Sequence, residues 1–359
     1  MQISVSKKFG LGLAIFAFAA GVSIEADRAT AASIDDLVKG AQQEGELNIL
    51  QASFGDPQMW RKLQAAINAK YRINVQLNGR PGLSSSSLTP RLIEEVRAGR
   101  KPSSDMTLNP PIQQTALDNA GAALQVNWRE LDPSIPAGAV TKSGSGLIVG
   151  GSLISAVYNT DLIPRASAPK TLADLRAPRY KGLIATSPYA GAWPPVAVLL
   201  GSPAVESFLK DIAANGNLKG FIPLTDHQRI GSGEFGILLF VDSKARTNSM
   251  IAQGAPLETT TLGMNLAFTY AVNVIKGTAS PNLAKLVSLF FATREGQTIL
   301  SEFTSYDSAY LPGSSTYEAL RAATERGEKV VIENEAVVNE NLQIYVDFSK
   351  NYARLVGAR

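Results

Sequence analysis

The sequence predicts an α/β protein of two lobes, each a mixed sheet flanked by helices, joined by two crossing hinge strands. Three observations carry this. The chain has 359 residues, more than one ordinary hydrophobic core accommodates. Short apolar segments alternate with helical patterns in two successive series, as in mostly parallel sheets with ligand loops at their strand ends. Two apolar stretches with strand character, residues 147–161 and 265–275, follow the first and second series. Passing between lobes, they make a hinge, and a hinge makes a cleft. As ordinary core strands of one large sheet they make neither.

The first series opens with a helix. Ser33 and Asp36 form a capping box, Ile34, Leu37, Val38 and Ala41 follow at helical spacing, and Gly45 ends it. Residues 47–50 read as a strand. Asp56 caps a second helix with Pro57 in its first turn and Trp60, Leu63 and Ile67 as its buried stripe. A strand at 73–77, a helix led by Ser84 to about Gly99, a strand at 106–108 and a helix at 112–120 complete it.

The second series begins with a short helix capped by Thr171 and stopped before Pro178. A strand at 183–186 and a turn at 187–191 lead into an apolar helix through Leu200. A helix at 204–213, a strand at 235–240 and a helix to about Gln253 follow. Beyond the second stretch, residues 281–300 read as one long helix, and the chain from Ser314 as helix and loop.

Composition narrows the function. Apolar residues make up 45%, charged residues 18%, and the net charge is +3, which suits a globular protein. No basic block or aromatic-basic stripe points to nucleic acid. The absence of Cys excludes thiol nucleophiles, disulfides and Cys-based zinc sites, and leaves His227 as the only imidazole. Lys7 and Lys8 precede an apolar run at 9–20, and Ala29-Thr30-Ala31 reads as a cleavage site. Residues 1–31 are therefore expected to be a secretory signal peptide, exporting the chain to a periplasm. With no Cys, no lipid-modified cysteine anchors it.

Several motifs resemble the extracellular solute-binding proteins of ABC importers, in the group that includes ferric-iron-binding proteins. They are residues 42–47 that end the opening helix, the serine-rich loop before Arg91, and 156–160. Residues 169–175 and 180–184, Gly233-Glu234 before a strand, and 281–285 leading to 290–300 complete the set. The order and spacing of these pieces carry the likeness over nearly the whole chain after the signal peptide. The resemblance implies the type II periplasmic binding-protein fold and no enzymatic activity. It implies a small-molecule ligand, a permease and its ATPase as partners, no cofactor and a monomer. The expected lobes are 32–150 with 265–312, and 151–264 with 313–359. The iron-binding members resemble one another in a pair of adjacent tyrosines, absent here, so that most of a ferric site is missing. Tyr158, Tyr189, Tyr306 and Tyr310 are scattered. An iron or iron-complex protein, and an enzyme or sensor on the same frame, are the alternatives.

The expected ligand loops are Ser53-Phe54, Ser84, Ser85, Ser86 and Ser87, Asn109, then Thr186, Ser187 and Tyr189, and Asp242-Ser243, with Tyr158 nearby. Hydroxyls and free N–H groups at helix starts attract carboxylates, phosphonates and sulfonates, which makes a small organic anion the expected ligand. The same serines serve equally well as N-caps. Trp193, at helical spacing, is expected in the core. Glycines 231, 233 and 236 match a dinucleotide fingerprint but stand before a strand instead of after one. His227 is expected to be a satisfied surface residue. Glu94-Glu95 and the acidic residues at 333–335 are expected to be solvated helix faces.

Overall fold

Ser33 starts the first helix with the expected capping box. Its hydroxyl accepts from the Asp36 N–H at 3.2 Å, and the Asp36 carboxylate accepts from the Ser33 N–H at 3.2 Å. The structure, a computed structural model, describes residues 33–52, 54–241 and 244–357, so the expected signal peptide lies outside the described residues.

The first series runs α1 (Ile34–Glu44), β1 (Glu46–Leu50), α2 (Pro57–Tyr71), β2 (Gln76–Arg80), α3 (Ser85–Arg97), β3 (Met106–Asn109), α4 (Pro111–Asn119) and the short α5 (Trp128–Leu131). β2 starts three residues later than expected. Arg72 turns into the left-handed region at φ 54°, and the Ile73 N–H bonds back to Asn68, so the chain is still leaving α2 there. Residues 147–161 divide into β4 (Gly146–Leu153) and β5 (Ala156–Asn159). Next come β6 (Ile184–Thr186), α6 (Trp193–Leu200), α7 (Ser202–Ala214), β7 (Leu218–Phe221), α8 (Gln228–Gly231), β8 (Ile237–Leu238), α9 (Lys244–Ala252) and β9 (Leu257–Thr260).

β10 (Leu266–Val274) is the second long stretch, as expected. The single helix expected at 281–300 is two, α10 (Pro281–Phe291) and α11 (Arg294–Thr304). Thr293 breaks it: its hydroxyl accepts from the Gly296 N–H at 3.1 Å and caps a new helix, although the apolar stripe continues. The chain closes with α12 (Ser315–Glu325), β11 (Val331–Glu333), α13 (Glu335–Glu340) and α14 (Leu342–Leu355).

These strands form three sheets among the described residues. β1 pairs in parallel with β2. β10 lies antiparallel to β4 along one edge, and its other edge takes β3 at Ala271–Val274 and β11 at Leu266–Phe268. The third sheet runs β7-β6-β8-β5-β9. Residues 147–161 therefore leave one sheet and enter another between Leu153 and Ala156. The Ile154 N–H bonds to Leu266 and the Ser155 carbonyl accepts from Val241, at 2.8 and 2.9 Å. The chain returns between β9 and β10, beside the first crossing.

Each side of this crossing has its own core. One gathers Trp60, Leu63, Phe290 and Phe291 with Leu147 and Val272. The other gathers Trp193, Phe208, Ile237 and Phe348 with Leu266. Trp193 is a core residue, as its spacing predicts, with its ring 4.7 Å from Phe240 and 5.9 Å from Phe208.

Candidate ligand cleft

A cleft with room for about 230 Å³ lies over the crossing strands. Its floor is a row across three strands. Ser152 of β4 pairs with Phe268 of β10, and Phe268 pairs with Glu333 of β11, so the three stand side by side. Side chains two apart on a strand share a face, which puts Tyr270 on the floor beside Phe268. Tyr270 stacks on Tyr306, ring centroids 4.6 Å apart and planes inclined by 16°, which fixes the attitude of the ring.

The sequence folds tightly here for a steric reason. A Cβ on Gly151 would lie 2.2 Å from the Phe268 carbonyl oxygen, so only glycine lets β4 approach β10 at that point. The pairing slips in register between Tyr270 and Ala271, a bulge where the strands cross.

The first series supplies one wall, Pro110 to Gln113 at the start of α4. The opposite wall is Gly191, Ala192, Leu224, Phe240 and Val241. Phe240 has a left-handed backbone, φ 62°, unusual for a bulky residue and a form of strain that gathers at functional sites. The kink ends β8 early, at Leu238 instead of the expected residue 240, and turns Val241 towards Ser155. His227 is not the expected surface residue. It is fully buried, its Nε2 donating to the Leu224 carbonyl at 2.9 Å and its Nδ1 accepting from Thr247 at 3.0 Å, and it holds Leu224 in the wall.

Glu333 brings a carboxyl to the floor. The expected solvated face at 333–335 is instead a buried strand end, with Glu333 at 7% exposure and Glu335 at 4%. Tyr345 donates to one Glu333 oxygen at 2.7 Å, and the other has no hydrogen-bond partner among the described residues. Burial pushes the Glu333 carboxyl from an ordinary 4.5 to about 7, against the opposing pull of the Tyr345 hydroxyl. Glu335 is likewise raised by burial, and its carboxylate accepts from the Lys142 N–H. No Lys or Arg lines the cleft among the described residues.

A smaller polar space of about 10 Å³ lies alongside, bounded by Asn109, Gln114, Thr269 and Glu335, the size for one water. Asn109 Oδ1 and Gln114 Oε1 are buried there with no hydrogen-bond partner among the described residues. Asn109 is thus next to the cleft, at the end of β3.

The other expected site residues scatter. Ser53, Asp242 and Ser243 lie outside the described residues. Phe54 is a core ring, 5.0 Å from Trp60 and 5.4 Å from Phe291. Ser84 stands at the N-cap position of α3 without a side-chain capping bond, its hydroxyl 2.9 Å from that of Ser86 and 3.2 Å from that of Ser87. Ser85 accepts from Gln51 at 2.7 Å. Tyr158 donates to Glu258, and burial, chiefly, lifts its hydroxyl to about 12. Thr186 is buried 3.2 Å from the Tyr352 hydroxyl. The Ser187 hydroxyl accepts from the Tyr189 N–H at 3.1 Å, and the Tyr189 side chain is 77% exposed. Glu95 is buried too, paired with Arg91 at 2.9 Å and accepting from the Ser103 N–H at 2.7 Å. Glycines 231 to 236 precede β8 and open no helix, as the sequence predicts. Phe268, Tyr270 and Glu333 were missed; the signal for the first two was a pair of alternating aromatics on a crossing strand.

No protein-family model and no curated protein matches the chain. Solved structures do match along nearly all of it. The substrate-binding protein of an ABC transporter from Agrobacterium tumefaciens superposes with a TM-score of 0.65 at 19% identity, covering 89% of this chain and 96% of that one. The fold is that of the two-lobed type II periplasmic binding proteins. Ferric iron-binding protein A of Mannheimia haemolytica, in an open conformation, gives 0.65 at 15% identity over 87% and 98%. The periplasmic binding protein AfuA of Actinobacillus pleuropneumoniae, with fructose-6-phosphate bound, gives 0.60 at 18% identity over 85% and 99%. In this periplasmic binding-protein fold, β4–β5 and β9–β10 are the connections between sheets, and the cleft opens above them.

Proposed function

We propose that the chain is the substrate-binding component of an ABC importer, which captures a small solute in the cleft and presents it to a permease and its ATPase. The observation that carries this is the cleft itself, floored by Ser152, Phe268 and Glu333 where the chain crosses between sheets. The structural neighbours, an ABC-transporter substrate-binding protein among them, support it. The same reading takes residues 1–31 as a signal peptide and the periplasm as the site of action. It takes 32–150 with 265–312, and 151–264 with 313–359, as the lobes. The separate cores around Phe290 and around Trp193 support that division.

The organic anion expected from the serine loops meets two helix starts, Pro110–Gln113 and Gly191–Ala192, of which only Ile112, Gln113, Gly191 and Ala192 carry an N–H that favours negative charge. Pro110 and Pro111 lack that N–H, and none of the described lining residues is basic. A thermal-shift screen of small acids, amines, sugars and metal complexes tests the function. A hit whose binding is lost in Ile112→Trp, a bulky ring on the exposed cleft wall, supports it. Hits that all ignore that change contradict it.

A further inference from the structure

The geometry points to a small organic cation as the solute, its ammonium group seated on the Glu333 carboxylate and its apolar body against Phe268 and Tyr270. This rests on the cleft being the ligand site.

Glu333 has no counter-ion among the described residues. A buried carboxylate is costly unless a cation or several hydrogen bonds satisfy it. The Glu333 carboxylate has one hydrogen bond, from Tyr345, and no ion pair among the described residues. Glu44, by comparison, is satisfied at both oxygens by Asn282 and Leu283. Among the described residues no donor meets Glu333 Oε2, on a residue that lines the cleft, and an ammonium ligand supplies both the charge and the donors.

Phe268 is directly in register with Glu333, and Tyr270 is held against Tyr306. Aromatic faces attract ammonium groups, and the attraction grows when water is excluded. A carboxylate beside two rings therefore recognises an amine twice, through charge and through the ring faces. An anion entering this floor meets Glu333 with no Lys or Arg among the described lining residues to offset it. The room, about 230 Å³, lies below the usual 300–1,000 Å³ of drug-sized pockets, so the amine is small.

The competing account is that Glu333 stays protonated and is only a hydrogen-bonding partner of Tyr345. The two accounts separate in one experiment. Protein stripped of co-purified ligand by partial unfolding and refolding is titrated calorimetrically at pH 8. The probes are phenethylamine and choline, their neutral counterparts 2-phenylethanol and 3,3-dimethylbutanol, and phenylacetate. The amines are expected to bind at least tenfold tighter than the neutral and acidic counterparts. Glu333→Gln, which keeps a hydrogen-bond acceptor for Tyr345, is expected to lose at least tenfold in amine affinity while its melting temperature holds or rises.

Equal binding of amine and alcohol, tighter binding of phenylacetate, no amine binding at millimolar concentration, or full amine affinity in Glu333→Gln overturns the cation. A ligand of another class that binds wild type but not Ile112→Trp would overturn the cation and leave the cleft standing. Hits of every class that bind both proteins alike would overturn the cleft as well.

Discussion

Phe268 and Glu333 stand opposite each other in the parallel pairing of β10 and β11, an aromatic ring beside a buried carboxyl on the floor of the cleft. Burial favours the neutral carboxyl, so between about pH 4.5 and 7 the folded protein holds a proton there that the unfolded chain releases.

The sign of the pH dependence follows. Below about pH 4.5 both states are protonated and Glu333 costs nothing. From 4.5 to about 7 the unfolded state alone releases the proton, so stability falls as pH rises; above 7 the cost is constant. At about 1.36 kcal/mol per pH unit the total is on the order of 3 kcal/mol. Tyr345 is the titratable group that hydrogen-bonds Glu333, and its hydroxyl is pushed far above its usual range, so it stays protonated throughout. Denaturant unfolding at pH 5 and pH 8 is expected to show Glu333→Gln gaining stability over wild type mainly at pH 8. An equal effect at both values contradicts the assignment.

Gly151→Ala tests the crossing. Its Cβ would press on the Phe268 carbonyl oxygen of the paired strand, which no side-chain rotation relieves. The expected loss is about 2 kcal/mol or more, with weakened ligand binding because the floor shifts. A variant as stable as wild type would mean that β4 and β10 have slack.

Ser85→Ala separates support from recognition. Its hydroxyl accepts from Gln51, which also donates to the Leu108 carbonyl at 2.6 Å. Stability is expected to drop by about 1 kcal/mol with ligand affinity nearly unchanged. A tenfold loss of affinity at unchanged melting temperature would return Ser85 to the ligand.

Much of the fold was legible because its signals are local. The Ser33–Asp36 capping box, the Asp56-Pro57 helix start and the two apolar stretches that became β4–β5 and β10 depend on residues near in sequence. β7, β9 and β11 were not legible: they are three or four residues long and carry polar groups that blunt any period of two. The candidate site was less legible than the fold. Glu333 sits in an acidic run that reads as solvated, and only its pairing with Phe268 and contact with Tyr345 bury it. Hydroxyl-rich loops signal helix starts whether or not a ligand is present, so Ser84 and Ser85 looked like a site although their hydroxyls meet neighbouring protein groups.

The central claim is that two lobes close on a solute held over β4 and β10. Small-angle scattering measures it directly, with and without a ligand whose binding calorimetry has established. Domain closure around the ligand predicts a smaller radius of gyration in the bound state. An unchanged radius at saturating ligand would contradict the account.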